Sequence, residues 1–359
     1  MLIRSLIFLL LIALLALLTL SLLRRSPRRG REDEHDSQDA DEPAPAAAAP
    51  AVSSKALGRE EVLRKLRALS LGAEVASAVP PAHVEAVAAI GAALATASTD
   101  PRYAPRRPLL LPQLLRAASD EESSRRDIAD IIARDPALVG NLLKLANGPY
   151  YRTSNKPIEN IDRAVAVLGT QGIRSLAAAA LVQPVFRAGT KESGKFADIA
   201  WEHTHRSAAA AEVYAFAVEG ADPFAAQLLA LVTGLAAIVV FRVATETYAA
   251  RGQRPDPTAL AALLDDHTPI VARRIAETWE LSDRLLAALD EQLRGQSARS
   301  ASDLGRSLRF GIVAGALSML ASKGLVDDQT ARASLIAAGG NGRKFERMWE
   351  RLSAEAAAA

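Results

Sequence analysis

Arg126 to Phe186 reads RDIADIIARDPALVGNLLKLANGPYYRTSNKPIENIDRAVAVLGTQGIRSLAAAALVQPVF. Ile128, Ile131 and Ile132 give its first segment an apolar face at helical spacing. Asp135 then stands as an N-cap, and Pro136 takes the first helical position, where its missing N–H leaves nothing unsatisfied. Leu138, Leu142, Leu145 and Ala146 form the stripe of the helix that follows, and Asn147-Gly148-Pro149 ends it. Ser154 to Pro157 repeats the cap-then-proline signal, Ile158, Ile161, Val165 and Leu168 make a third stripe, and Gly169 stops it. A further helix is predicted from Thr170 to Val182, up to Pro184. A run of capped, amphipathic helices with no β-like alternation makes this an all-α chain.

Composition agrees. Half of the 359 residues are apolar, which is enough for a sizeable core. Alanine and leucine dominate and aromatics are only 4%, so helix is favoured over an extensive sheet. There is no cysteine, which excludes disulfides, thiolate metal sites and a cysteine nucleophile. A net charge of +2 argues against a polycation built to neutralise phosphates, so nucleic acid is not expected as a partner. The local reading that would oppose this is a basic patch of Arg106, Arg107, Arg125 and Arg126, which would make binding steeply salt-dependent.

Upstream, Ser5 to Leu23 is nineteen residues without a charge, long enough at ~1.5 Å per residue to span roughly 30 Å of hydrocarbon. Leu22-Leu23 runs straight into Arg24, Arg25, Arg28, Arg29 and Arg31 with no small-residue cleavage site, so residues 1–23 read as an uncleaved transmembrane anchor. Five arginines after the span against Arg4 before it predict an inner-membrane, single-pass protein with its C-terminal bulk in the cytoplasm. Residues 24–55 then carry seven carboxylates between Glu32 and Glu42 and a Pro/Ala-rich run, the composition of a disordered linker. The chain's adjacent His-Asp pair, His35-Asp36, falls in this charge run with no helix to orient it and reads as composition.

Between linker and core, residues 56–99 read as a helical pair. Ala56 to Leu71 is amphipathic, and Pro81 to Ala97 places Val84, Val87, Ile90 and Leu94 on one face. Asp100 to Pro108 is a three-proline connector. Residues 298–359 form a C-terminal helical extension. In it, Gly339 to Lys344 has glycines and cations but neither a preceding strand nor a P-loop ending, so it reads as a turn before a last helix with Phe345, Met348, Trp349 and Leu352 on its apolar face.

These residues carry a resemblance. Asp135-Pro136-Ala137-Leu138, Leu145-Ala146-Asn147, Ala164-Val165 and Leu168-Gly169 resemble the HDOD domain, an all-α bacterial module related to the HD phosphohydrolase superfamily. Trp201-Glu202-His203, the helix Leu228 to Phe241 and the segment His267 to Leu281 continue the resemblance, and the domain is expected over residues 107–297. The resemblance implies an HD-like helical bundle and a place in bacterial signal transduction, with a link to cyclic-dinucleotide signalling by association alone.

It also implies where a metal site would stand. HD hydrolases hold metal with a His, an adjacent His-Asp pair and a distal Asp. By resemblance the first ligand falls on His203, while the pair's positions are Gly234 and Leu235, which offer no donor. His205, two residues on, points elsewhere on a helix, His83 is isolated, and His267, beside Asp265 and Asp266, reads as a cap or surface residue. No Gly-x-Ser-x-Gly elbow is present. The expected protein is therefore non-catalytic, without metal or cofactor, and works through a protein partner. Its working surface is expected on Asp135, Asn147, Tyr150 and Tyr151, the first two reading also as cap and turn residues. The opposing expectation is a residual metal-dependent phosphohydrolase acting on a nucleotide or phosphoester through His203 and His267.

Overall fold

Asp222 caps a 28-residue helix, Pro223–Ala250, by accepting from the backbone N–H groups of Phe224 and Ala225 at 2.9 and 3.2 Å. The helix is apolar on nearly every face, as a helix must be when neighbours surround it. A computed structural model describes residues 56–97, 100, 102–103, 105, 107–119, 125–148, 157–187, 194–293, 300–340 and 343–357. The expected anchor and linker, Tyr150, Tyr151 and Arg106 lie outside the described residues.

Thirteen α-helices run through the described residues: α1 (Arg59–Leu71), α2 (Val84–Ala97), α3 (Leu111–Ser119), α4 (Arg125–Ala133), α5 (Pro136–Ala146), α6 (Ile161–Arg187), α7 (Gly194–Tyr214), α8 (Pro223–Ala250), α9 (Pro257–Thr278), α10 (Asp283–Asp290), α11 (Asp303–Ser322), α12 (Asp328–Ala337) and α13 (Arg343–Ala357). Helix α7 is central: α8 packs along one side of it and α11 along another. α8 and α11 are each long and apolar enough to cross a membrane, yet both are mostly buried here, as core helices are. α2, α6 and α9 pack around α8, and α4 and α5 pack on α6. A second apolar cluster joins Val62 and Leu66 of α1 to Phe310, Leu317 and Leu320 of α11 and to Phe345, Trp349 and Leu352 of α13. The segments flanking the HDOD-like stretch thus pack onto it.

The α7–α11 contact depends on two glycines one turn apart. A Cβ at Gly311 would lie 2.5 Å from the Ser207 carbonyl oxygen, and one at Gly315 would lie 2.6 Å from the Ser207 nitrogen. Backbone meets backbone, and no side chain fits between.

Within the opening stretch, Asp135 caps α5 as its sequence predicts, accepting from the Leu138 N–H at 3.1 Å. Gly169 takes φ 71° and ψ 179°, a conformation that breaks α6 at the predicted stop. Three expectations need correction. The cap of α6 is Asn160, whose Oδ1 accepts from the Arg163 N–H at 2.8 Å, and the helix starts at Ile161; Pro157 and Ile158 are not helical, with the Ile158 N–H held by Asn147, and Ser154 lies outside the described residues. α2 buries Ala86, Ile90, Leu94 and Ala97 and leaves Val84 57% exposed, since the small alanines let α8 and α9 approach that face. His267 is not a cap: it sits within α9, half-buried, with its ring against Gly91 of α2, where a Cβ would lie 3.4 Å away.

Candidate functional site

Helix α7 brings His203 to its junction with α11. Its Nε2 lies 3.1 Å from the Ile312 carbonyl oxygen, which only accepts, so that nitrogen carries the hydrogen and donates. Ser207 Oγ lies 3.1 Å from the same atom. Burial lowers the imidazole pKa to about 4, opposed by the bond to Ile312 and aided by the cations Arg67 and Arg206, so His203 is neutral at neutral pH. His205 points elsewhere: it is 4% exposed, lies edge-on to Trp201 at 4.2 Å between ring centroids, and has its pKa pushed by burial down to about 3.

The positions where the resemblance places a His-Asp pair are part of the helix packing. Leu235 is fully buried. A Cβ at Gly234 would lie 2.0 Å from Thr204 Oγ1 and 2.5 Å from its Cγ2, so α7 occupies the space a side chain there would need. Asp265 is held by Arg67 of α1, whose Nε donates to its Oδ1 at 3.0 Å. His83 lies far along the chain beside Tyr248, 3.2 Å from Nδ1 to the hydroxyl. Among the described residues no three His, Asp or Glu side chains gather as a metal needs, and the donors present do not fit one.

This geometry belongs to a recognisable family. A model of the HDOD domain matches residues 104–294, more than half of the chain. The chain belongs to the HDOD family. The HDOD fold is an all-α bundle, and two solved proteins of Shewanella amazonensis SB2B resemble this chain. One, provisionally named a phosphohydrolase, shares 23% identity over 74% of this chain and 97% of its own, with a TM-score of 0.51. The other, provisionally named a metal-dependent phosphohydrolase, shares 18% identity over 76% and 99%, with a TM-score of 0.49. An HDOD domain protein of unknown function from Geobacter sulfurreducens shares 17% identity over 68% and 87%, with a TM-score of 0.46. No protein with a curated function matches. At 23% identity the first likeness speaks for the HDOD fold alone.

The expected surface residues divide. Asn147 spends its side chain inside the molecule: Nδ2 donates to the carbonyl oxygens of Leu143 and Ile158, each at 2.8 Å, and Oδ1 accepts from the Ile158 N–H at 2.8 Å. It clips the end of α5 to the segment before α6. Asp135 is half-buried as the α5 cap. Beside it in the chain, Arg134 lines a groove of about 500 Å³ with Gln113, Arg116, Asp127, Asp130 and Ile131, and its Nη1 donates to Gln113 Oε1 at 3.1 Å. The sequence reading passed over this groove. Its signal was present: Asp127 and Asp130 on α4, and Arg134 just past its end, recur at helical spacing opposite the buried Ile128 and Ile132.

Proposed function

We propose that this HDOD protein is a non-catalytic, membrane-tethered signalling or scaffolding protein of bacteria, acting from the cytoplasmic side of the inner membrane through a protein partner. The observation that carries the reading is the packing at Gly234. Where a metal-binding pair would stand, α7 and α8 touch without room for a side chain, and the neighbouring His203 gives its Nε2 hydrogen to a backbone carbonyl. The working surface is then the α3–α4 groove with its cations Arg116 and Arg134 and its carboxylates Asp127 and Asp130, next in the chain to Asp135. A mixed-charge groove suits a charged helical or extended protein segment, with charge order setting the register. The uncharged span Ser5 to Leu23 and the arginines after it support the tether.

The test is photo-crosslinking in cells with the full chain, with the reactive group at Arg134 or, for comparison, at Arg332. A discrete partner adduct from Arg134 that vanishes on Asp130→Arg supports the reading. Equal labelling from both positions, unchanged by Asp130→Arg, contradicts it.

A further inference from the structure

The α3–α4 groove is lined by two cations, Arg116 and Arg134, and two carboxylates, Asp127 and Asp130, so its own charges balance. They are not paired off along the helix. Asp130 and Arg134 stand four residues apart, the spacing at which unlike charges on one helix join. Arg134 instead turns across the groove, and its Nη1 donates to Gln113 Oε1 of α3 at 3.1 Å. Asp130 and Arg116 are both exposed, and neither takes part in a hydrogen bond or ion pair among the described residues. Other surface charges of the body are joined: Arg332 holds Asp328 and Glu346, Arg273 holds Glu277 and Asp290, and Arg284 holds Asp303. Half-buried Ile131 lies beside Asp130 in the chain and lines the same groove.

Unlike charges held apart in one groove fit a partner that carries the same charges in the opposite order. A wholly acidic segment would be repelled by Asp127 and Asp130, and a wholly basic one by Arg116 and Arg134. Along the chain the acid comes first and the base last, with Arg134 about one turn, ~6 Å, beyond Asp130. That order is complementary to itself when two copies lie antiparallel. A two-fold axis midway between the two residues brings each Asp130 to the other copy's Arg134 and each Arg134 to the other copy's Asp130. We propose that the α3–α4 groove is the contact of a symmetric homodimer, in which Asp130 of each protomer pairs with Arg134 of the partner subunit and Ile131 is covered between the pairs. This rests on the reading of the groove as the working surface and names its partner, a second copy of this chain. The uncharged span Ser5 to Leu23 favours that partner, since two tethered copies share one membrane plane and meet at a raised effective concentration.

The test uses the full-length protein in cells, expressed with either of two epitope tags and with a photo-reactive residue at Arg116, which lines the groove outside the proposed pairs. The expected product is an adduct of two copies. Asp130→Arg alone or Arg134→Asp alone should lower its yield by about tenfold or more, since each sets like charges face to face twice. Co-expressing the two single variants under different tags should restore the adduct between the tags, because one copy then supplies only bases and the other only acids. The chain carrying both substitutions should pair with itself again. Either recovery also shows that the variants fold. An Arg116 adduct with a different protein overturns the homodimer and leaves the groove as the working surface, whereas no adduct of any kind overturns both. A two-copy adduct that the single variants leave unchanged, or that the mixed variants fail to restore, also overturns the proposal.

Discussion

His203 and His205 are both neutral in the folded protein, with pKa values lowered by burial to about 4 and about 3, whereas an unfolded chain protonates its histidines near pH 6.5. Above that pH neither state binds the proton and the folded state keeps its full stability. As pH falls below it the unfolded chain takes up protons first, so stability drops by roughly 1.4 kcal/mol per pH unit for each histidine until the folded form also protonates. Urea unfolding at pH 7.5 and pH 5 is expected to show a marked loss at the lower value, and His205→Phe to reduce the slope. Asn147 makes a second residue-scale case. Asn147→Ala abandons the Ile158 N–H and the Ile158 carbonyl, while the Leu143 carbonyl keeps its backbone donor, an expected cost of about 1–3 kcal/mol by equilibrium unfolding. Asn147 was legible as a turn residue from Asn-Gly-Pro. That its amide would clip Ile158, eleven residues on, and so shift the cap of α6 to Asn160, depends on how the chain returns, which no local pattern encodes.

At the scale of helices, α7 is gripped from two sides through small residues, Gly234 against Thr204 and Gly311 with Gly315 against Ser207 and Ala211. Gly234→Ala would drive a methyl into the Thr204 hydroxyl and is expected to destabilise the protein by about 1–3 kcal/mol. Adding Thr204→Ala removes the two nearest atoms and should recover part of that loss, a non-additivity that a double-mutant cycle measures. Helix existence was readable here because caps, stops and apolar spacing are local signals; Asp135-Pro136 and Gly169 mark their elements in both sequence and structure. Helix faces were less so. α2 turns Ala86 rather than Val84 inward because partner helices reward small residues at close crossings, and His267 covers Gly91 for the same reason. The absence of a donor at Gly234 could be read from the resemblance, while its use as a contact point needed Thr204 in space.

At the scale of the molecule, the body described from α1 to α13 would stand behind an expected anchor and linker. Deleting residues 1–23 should move the protein from the carbonate-resistant membrane pellet to the supernatant, and fractionation with immunodetection checks it; a full-length protein that is extracted by carbonate would contradict the tether. α1, α11 and α13 share one apolar cluster with residues of α7, so the segments on either side of the family match fold together with it. The pairing of Arg67 on α1 with Asp265 on α9 was not readable in the sequence, where both look like the solvated side of amphipathic helices. The closed packing at Gly234 is what separates a scaffold from a hydrolase. Its most direct test is metal analysis and phosphodiesterase assay of the purified full-length protein supplied with manganese or iron: the expected result is no stoichiometric metal and no hydrolysis, whereas bound metal at one or two equivalents with activity abolished by His203→Ala would contradict it.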